Sequence, residues 1–392
     1  MKKFLAISAI ALIAFNLRTA VSSVSPVISF IQKEIPLPIV TIGLLGIAAP
    51  LSFALATQLS YRPARRIGVE KTLMLTIVMI ILGHALRALA WDSTSLFAGS
   101  LLALLGMGIG NVLLPVLVRK YFPNRVGAVT SFYITLTAIS ATLGSLVAVP
   151  VADALGWRFS LGQWALFSFL AAIPLITLLG NSTPEPKPEV ASGSKAIWRA
   201  PTAWAIAGMQ AMTSVFGYVS FAWLPLLLVE HNSVSVIEGG LLLSLFALMG
   251  LPTSIFVPIL ANRYPAAQVW IVVFSGVMGA GGVLGMLFAD TSWLWFYVIM
   301  AGFGPTMFPL ALTLFNLRSE HRSTVLAVSA FGQGLSYGTA SVSVIAVGVM
   351  RELTGGWEAA LWLMFGFALL AIPVALQISK RHTIDQELRV KN

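Results

Sequence analysis

The sequence predicts an all-α polytopic membrane protein with twelve transmembrane helices, arranged as two similar sets of six. Three observations predict it. Of 392 residues, 58% are hydrophobic and 10% charged, with a mean hydropathy of +0.90, whereas a soluble domain carries about 25% charged residues. Twelve apolar segments are each long enough to cross a bilayer, which takes about 20 residues as a helix. The two halves of the chain also resemble each other on either side of a polar break at 181–201. A β-barrel is excluded, because barrel strands are about ten residues of alternating polarity.

Helix 1 is expected at 4–31. Its start, "MKKFLAISAIALIAF", mimics a signal peptide, but apolar character resumes after Arg18, so the segment reads as a retained span. Arg18 is its peculiarity. An arginine at mid-helix costs about 2.5–3.5 kcal/mol on insertion scales, so it needs a ligand or a partner. Asn16, Ser22 and Ser25 lie close by, the serines on roughly the same helical face. Helix 2 (38–59) leads into the basic loop "SYRPARRIGVEK", with Arg65, Arg66 and Gly68. Helix 3 (72–91) carries His84 and Arg87 near its end, where surface placement is expected over a proton relay. Helix 4 (94–118) contains "GMGIGNVLLP", whose glycines suit close helix packing. Its Asn111 is an amide in need of a partner.

Helix 5 (125–153) has a polar stripe of Thr130, Tyr133, Thr137, Ser140 and Gly144. Such a stripe faces away from lipid, either toward other helices or toward a ligand. Helix 6 (159–180) closes the first half. Helix 7 (202–229) offers Gln210, Phe216, Tyr218 and Trp223, which could stack on a planar solute, form an apolar gate or anchor at the interface. Helix 8 (235–260) ends at "LANRYP" with Arg263. Helix 9 (267–289) carries the Gly-rich string "GVMGAGGVLGM", which suits packing, and helix 10 (292–317) follows. Helix 11 (323–350) carries Gln333, Ser336, Tyr337 and Ser341, and helix 12 (357–379) closes the chain.

The halves match in particular strings. "LGWRFSLGQWALFSF" corresponds to "GGWEAALWLMFGF", "GMGIGNVLLP" to "MAGFGPTMFP", and the loop with Arg65 and Arg66 to the loop with Arg263. The expected domains are 1–180 and 202–379, each a six-helix bundle, with a linker at 181–201 and a tail at 380–392. A same-orientation repeat of this kind places a binding site between halves, near the membrane midplane.

Charge sets the orientation. With the N-terminus cytoplasmic, the cytoplasmic side holds clusters such as Lys2–Lys3, Arg62–Arg66, Arg119–Arg125 and Lys380–Arg381, against only Lys33, Arg87, Arg158 and Arg351 outside. Both termini are therefore expected in the cytoplasm, in the inner membrane of a bacterium. The net charge of +10 reflects these loops and does not imply nucleic acid. Cysteine is absent, and the four histidines have no metal-ligand spacing. No cofactor is expected. With no nucleotide-binding motif and no catalytic constellation at one depth, an enzyme or primary pump is disfavoured.

Six plus six spans, both termini inside and a basic loop after helix 2 resemble the major facilitator superfamily over the whole chain. The loop keeps Arg65, Arg66 and Gly68 but lacks the family's Asp, which puts its usual gating salt bridge in doubt. "FNLRTAVSSVSPVISFI" more closely resembles the first helix of the cyanate and 2-nitroimidazole permease family, through Asn16, Arg18, Ser23, Val24 and Pro26. That resemblance implies a small anion or a small polar aromatic as solute. The expected function is secondary active transport of such a solute by alternating access, with or without a coupled proton, by a monomer. Arg18, Asn16, Ser22, Asn111, Tyr133, Thr137, Gln210, Phe216, Tyr218, Gln333 and Tyr337 are the expected solute-binding residues, with Arg65, Arg66, Gly68 and Arg263 in gating loops. Arg18 remains open to a bracing role instead. The alternatives are an exporter of hydrophobic or nitroaromatic compounds, and a membrane sensor that binds a solute without moving it.

Overall fold

A computed structural model describes residues 2–182 and 194–390. Most of the expected linker lies outside the described residues. No strand occurs among them. Eleven helices are long and apolar enough to span a bilayer: Lys3–Ser22, Ile39–Ala56, Val69–Ala88, Ser93–Tyr121, Ala128–Leu146, Trp157–Ile176, Pro201–His231, Val236–Arg263, Ala267–Phe288, Thr291–Leu317 and Glu358–Ile378. These are helices 1–10 and 12. Helix 11 is the 33-residue helix Arg322–Thr354, and it carries the Gln333–Ser341 polar stripe. The order is that of the twelve helices expected from the sequence.

Several spans expected as continuous are interrupted. Helix 1 is helical over Lys2–Asn16 and Thr19–Ser22, then turns through a short 3-10 segment at Ser25–Val27. Pro26 has no N–H to offer to a regular helix there. Helix 8 breaks at Met249, and helix 10 passes through a 3-10 turn at Gly304–Thr306. Helix 7 runs unbroken through Pro225.

The chain divides into two compact units. One is Met1–Lys187 with Phe221–Leu248, and the other is Pro188–Ser220 with Met249–Asn392. The end of helix 7 and the first part of helix 8 therefore group with the first six spans, and the break in helix 8 falls at the division.

Within the first unit, helices 3 and 4 meet backbone to backbone. A Cβ added at Gly83 would lie 2.5 Å from the Ala103 nitrogen. Helix 1 is tied to helix 6 by Asn16, whose Nδ2 donates to the Leu12 and Phe167 carbonyls at 2.7 and 3.2 Å. Ser168 Oγ donates to Asn16 Oδ1 at 2.7 Å. Phe15 packs against Trp164 and Phe167 alongside. Within the second unit the glycine seam recurs between helices 9 and 10, where Gly282 abuts the Ala301 backbone. Small residues let helices approach closely when no hydrophobic drive separates them from lipid.

The loop after helix 2 turns at Gly68, with φ 87° and ψ 167°, a conformation essentially reserved for glycine. Two residues on, Glu70 is fully buried and pairs with Lys120 Nζ at 2.6 Å, while Tyr121 donates its hydroxyl to the same carboxylate oxygen at 2.9 Å. The loop lacks the family's Asp, yet Glu70 supplies an ion pair to the end of helix 4.

In the second unit, a final helix at Ile384–Val390 clasps the ends of four spans. Asp385 accepts from the Glu320 N–H and Thr324 Oγ1, both at 2.6 Å, at the start of helix 11. Glu387 accepts from the Thr202 N–H at 2.9 Å and from Thr202 Oγ1 at 2.7 Å, capping helix 7, and from Gln377 of helix 12 at 2.9 Å. Arg318, after helix 10, donates to Gln268 Oε1 at 2.7 Å and to the Ile378 carbonyl at 3.1 Å. Burial, with the nearby Arg381 charge, pushes its pKa down. Glu387→Ala is expected to lower stability by about 1–2 kcal/mol, the worth of a helix cap. Arg389→Ala, which loses only the exposed pair with Glu320, should change it by less than about 1 kcal/mol. Thermal melting of the purified variants checks both.

Candidate functional site

The first cluster is built around the break in helix 1. Arg18 leaves the helical region at φ −129° and ψ −7°. The Leu17 N–H bonds back only three residues, to the Ala14 carbonyl at 3.1 Å. Thr137 of helix 5 also donates to that carbonyl, at 3.4 Å, and to its own Tyr133 carbonyl at 2.9 Å. Irregular backbone at membrane depth survives where protein or a cavity surrounds it, and interrupted helices are where transporters build their sites.

Arg18 is half-buried, and its Cζ lies 5.0 Å from the centre of the Phe53 ring on helix 2. This cation–π contact is its one side-chain interaction among the described residues. Ser22 is buried. Its Oγ donates to the Arg18 carbonyl at 3.2 Å and sits against Gly144 of helix 5, where a Cβ would collide with it. Tyr133 is nearly buried, and its hydroxyl has no hydrogen-bond partner among the described residues. Asn111, half-buried on helix 4, likewise has an unpartnered amide there. Asn16, expected beside Arg18 in binding, has its amide engaged at both ends in helix packing. It fixes the segment that carries Arg18.

The second cluster lies in the second unit. Tyr218 and Tyr337 meet edge to face with ring centres 6.4 Å apart. Ser336 donates to the Gln210 carbonyl at 3.2 Å and pairs with Ser214. The Gln210 side-chain nitrogen is buried without a partner. Gln333 is half-buried and donates to Ser329 at 2.9 Å. Phe216, expected to face a solute, is instead wedged fully buried against Gly279 and Gly304. It fills the gap those glycines leave, so its role in the structure is core packing.

Arg65 and Arg66 are exposed on a short helix, Tyr61–Ile67. Arg263 is exposed too, stacked 5.6 Å from the Tyr264 ring. His84 overturns the surface placement expected for it, since it is wholly buried, as is Arg87 one turn on. Helix 3 turns that face inward, toward helices 4 and 6, a choice that hydropathy alone does not encode. No group of metal-ligating side chains occurs among the described residues.

Each unit is built of apolar helices joined along a glycine seam, and the first bears a cation at an interrupted span. The profile of the Major Facilitator Superfamily matches residues 10–341. The chain belongs to the Major Facilitator Superfamily. Its relatives within the superfamily are transporters, not enzymes. It is 33% identical over 389 residues to an uncharacterized transporter, YycB, of Bacillus subtilis (strain 168), covering 96% of this chain and 93% of the relative. It is 29% identical over 376 residues to a 2-nitroimidazole transporter of Escherichia coli (strain K12), covering 94% and 93%. It is 24% identical over 368 residues to the cyanate transport protein CynX of the same organism, covering 88% and 90%. Major facilitator proteins with cyanate- and nitroimidazole-linked names are thus similar to this chain along nearly its full length.

Proposed function

We propose that this major facilitator protein is a secondary transporter of a small anionic or small polar planar solute, with Arg18 as the solute's countercharge. The observation that carries the reading is a guanidinium at a break in a membrane helix, held among the described residues by an aromatic face alone. Its planar donor fork suits a carboxylate-like or nitro-like group. Within the same unit, Tyr133 and Asn111 have polar groups without a hydrogen-bond partner among the described residues, and these would complete a site around Arg18. The protein would lie in a bacterial inner membrane with both termini cytoplasmic, as the loop charges favour. Proton coupling through a mid-span carboxylate has no candidate among the described residues: Glu70 is ion-paired near the start of helix 3, and the other acids in spans are exposed near their ends.

The test is uptake by proteoliposomes of a panel of labelled solutes: cyanate, small carboxylates, 2-nitroimidazole and neutral aromatics. Flux of the small anions or nitroimidazole, against none for bulky neutral aromatics, supports the reading. The reverse pattern supports an exporter of hydrophobic compounds, which the Tyr218–Tyr337 pair would serve. Binding without any flux would make the protein a sensor.

Alternating access requires contacts that open once per cycle. The segment Phe221–Leu248 supplies one: Ser244 Oγ of helix 8 donates to Ser145 Oγ of helix 5 at 2.9 Å. Nearby, Gly240 lies against Val149 and Pro26. The chain has no cysteine, so a Ser145→Cys, Ser244→Cys double variant introduces a single possible disulfide. Oxidation is expected to stop flux, and reduction to restore it. Flux at the wild-type rate in the oxidised protein would show that this contact stays closed throughout the cycle.

A further inference from the structure

Helix 3 holds a second arginine that the Arg18 cluster does not use. Arg87 is 0% exposed. Helix 4 makes room for it, since a Cβ at Gly99 would lie 2.9 Å from the Arg87 nitrogen and 3.1 Å from its Cγ. One Nη2 hydrogen reaches Ser23 Oγ at a long 3.4 Å. Nε and Nη1 have no hydrogen-bond partner among the described residues. No carboxylate among them forms an ion pair with Arg87.

His84, one turn earlier and equally buried, does not relieve the charge. Its Nδ1 sits 3.1 Å from the Leu161 carbonyl and so carries a proton. The buried Nε2 has no partner, and the ring is neutral or positive, never negative. Two further buried hydroxyls also lack partners: Ser25, two residues beyond Ser23, and Ser100, next to Gly99.

A guanidinium stays protonated in proteins. An unpaired buried charge costs several kcal/mol even after relaxation. Water would satisfy its N–H groups without supplying the opposite charge. We infer that Arg87, with Ser23, holds a small monovalent anion at the end of the first unit opposite Lys2. Full burial restricts the occupant to a few atoms, of the size of chloride, nitrate or cyanate. This site is distinct from that at Arg18, because the Arg18 guanidinium lies on the Phe53 ring of helix 2, whereas Ser23 meets Arg87 of helix 3. The inference stands whether or not Arg18 binds the solute.

The experiment is thermal melting of the purified protein in detergent, at constant ionic strength. Chloride, nitrate or cyanate is titrated against a bulky anion, gluconate, in wild type, Arg18→Ala, Arg87→Gln and Ser23→Ala. A ligand bound only by the folded state raises its stability with saturation. The expected result is a small-anion-dependent rise in midpoint in wild type and in Arg18→Ala, absent in Arg87→Gln. Ser23→Ala removes only a neutral hydroxyl, so it should fold even if Arg87→Gln does not. Its half-saturating anion concentration should rise about tenfold, the worth of one hydrogen bond to a charge. A response to chloride identifies a resident inorganic ion, and a response to cyanate or nitrate alone identifies the transported solute class. Both outcomes support the site. A wild-type midpoint that ignores small anions overturns it, as does an unchanged response in Arg87→Gln or an unchanged half-saturation in Ser23→Ala. Loss of the response in Arg18→Ala with retention in Arg87→Gln would overturn this site while favouring the Arg18 site.

Discussion

Arg18→Ala is expected to weaken solute binding about 30- to 1000-fold and to stop flux, while the protein still inserts and folds. The size follows from losing two hydrogen bonds from a charged fork, about 2–4 kcal/mol in total. Folding should survive because the side chain holds little together. Its contact with the Phe53 ring is worth about 0.5–2 kcal/mol, and removing an arginine from a span also removes its insertion cost. Arg18→Lys keeps the charge but loses the planar fork, so its affinity should fall between the two. Melting curves of the purified variants with and without solute, paired with proteoliposome flux, read both effects. If neutral aromatics stabilise wild type and Arg18→Ala equally, Arg18 is a brace, and variants of Tyr218 and Tyr337 should then carry the loss.

The largest effect on stability is expected at the helix 3–helix 4 seam. Any side chain at Gly83 meets the Ala103 backbone, with its Cβ 2.5 Å from the nitrogen and 2.8 Å from the Cα. No rotamer change relieves a clash with backbone, so the helices themselves must separate. Overpacking of a tight core costs about 1–3 kcal/mol, and Gly83→Val should lie at the upper end or fail to give monodisperse protein. Gly282→Val should behave alike, because it meets Ala301 in the same way. Gly334→Ala is the contrast: nothing lies within 4 Å of its Cβ position on helix 11. It should be neutral or stabilise by up to about 1 kcal/mol through helix propensity. Size-exclusion profiles and melting midpoints of the three variants decide this.

These particulars show how far the sequence could be read. The helical spans were legible, because hydropathy is a one-dimensional signal, and so was Arg18 as a charge inside an apolar run. The break at Leu17–Arg18 was not, since two non-helical residues leave the apolar pattern of helix 1 unchanged. Burial of His84 and Arg87 was hidden because a position near the end of a span does not say which face it takes. A clue was present: Gly99 is the small residue of helix 4 that lies against Arg87. Phe216 drew attention as an aromatic on the helix opposite Arg18 in the repeat, but its neighbours Gly279 and Gly304 lie far away in the chain. Glu70 was passed over because the loop pattern asks for an Asp before the basic pair, and here the acid comes after Gly68.

The clasp at Ile384–Val390 has a consequence for biosynthesis. Helices 7, 10, 11 and 12 leave the ribosome before the residues that tie their ends together. The helix 7 cap from Glu387 and the helix 11 contacts of Asp385 can form only after Asp385 and Glu387 have themselves left the ribosome. Until then those ends rely on solvent and lipid headgroups for their hydrogen bonds. The ends of helices 7 and 11 are thus completed by a segment made after both, so their packing waits on Ile384–Val390.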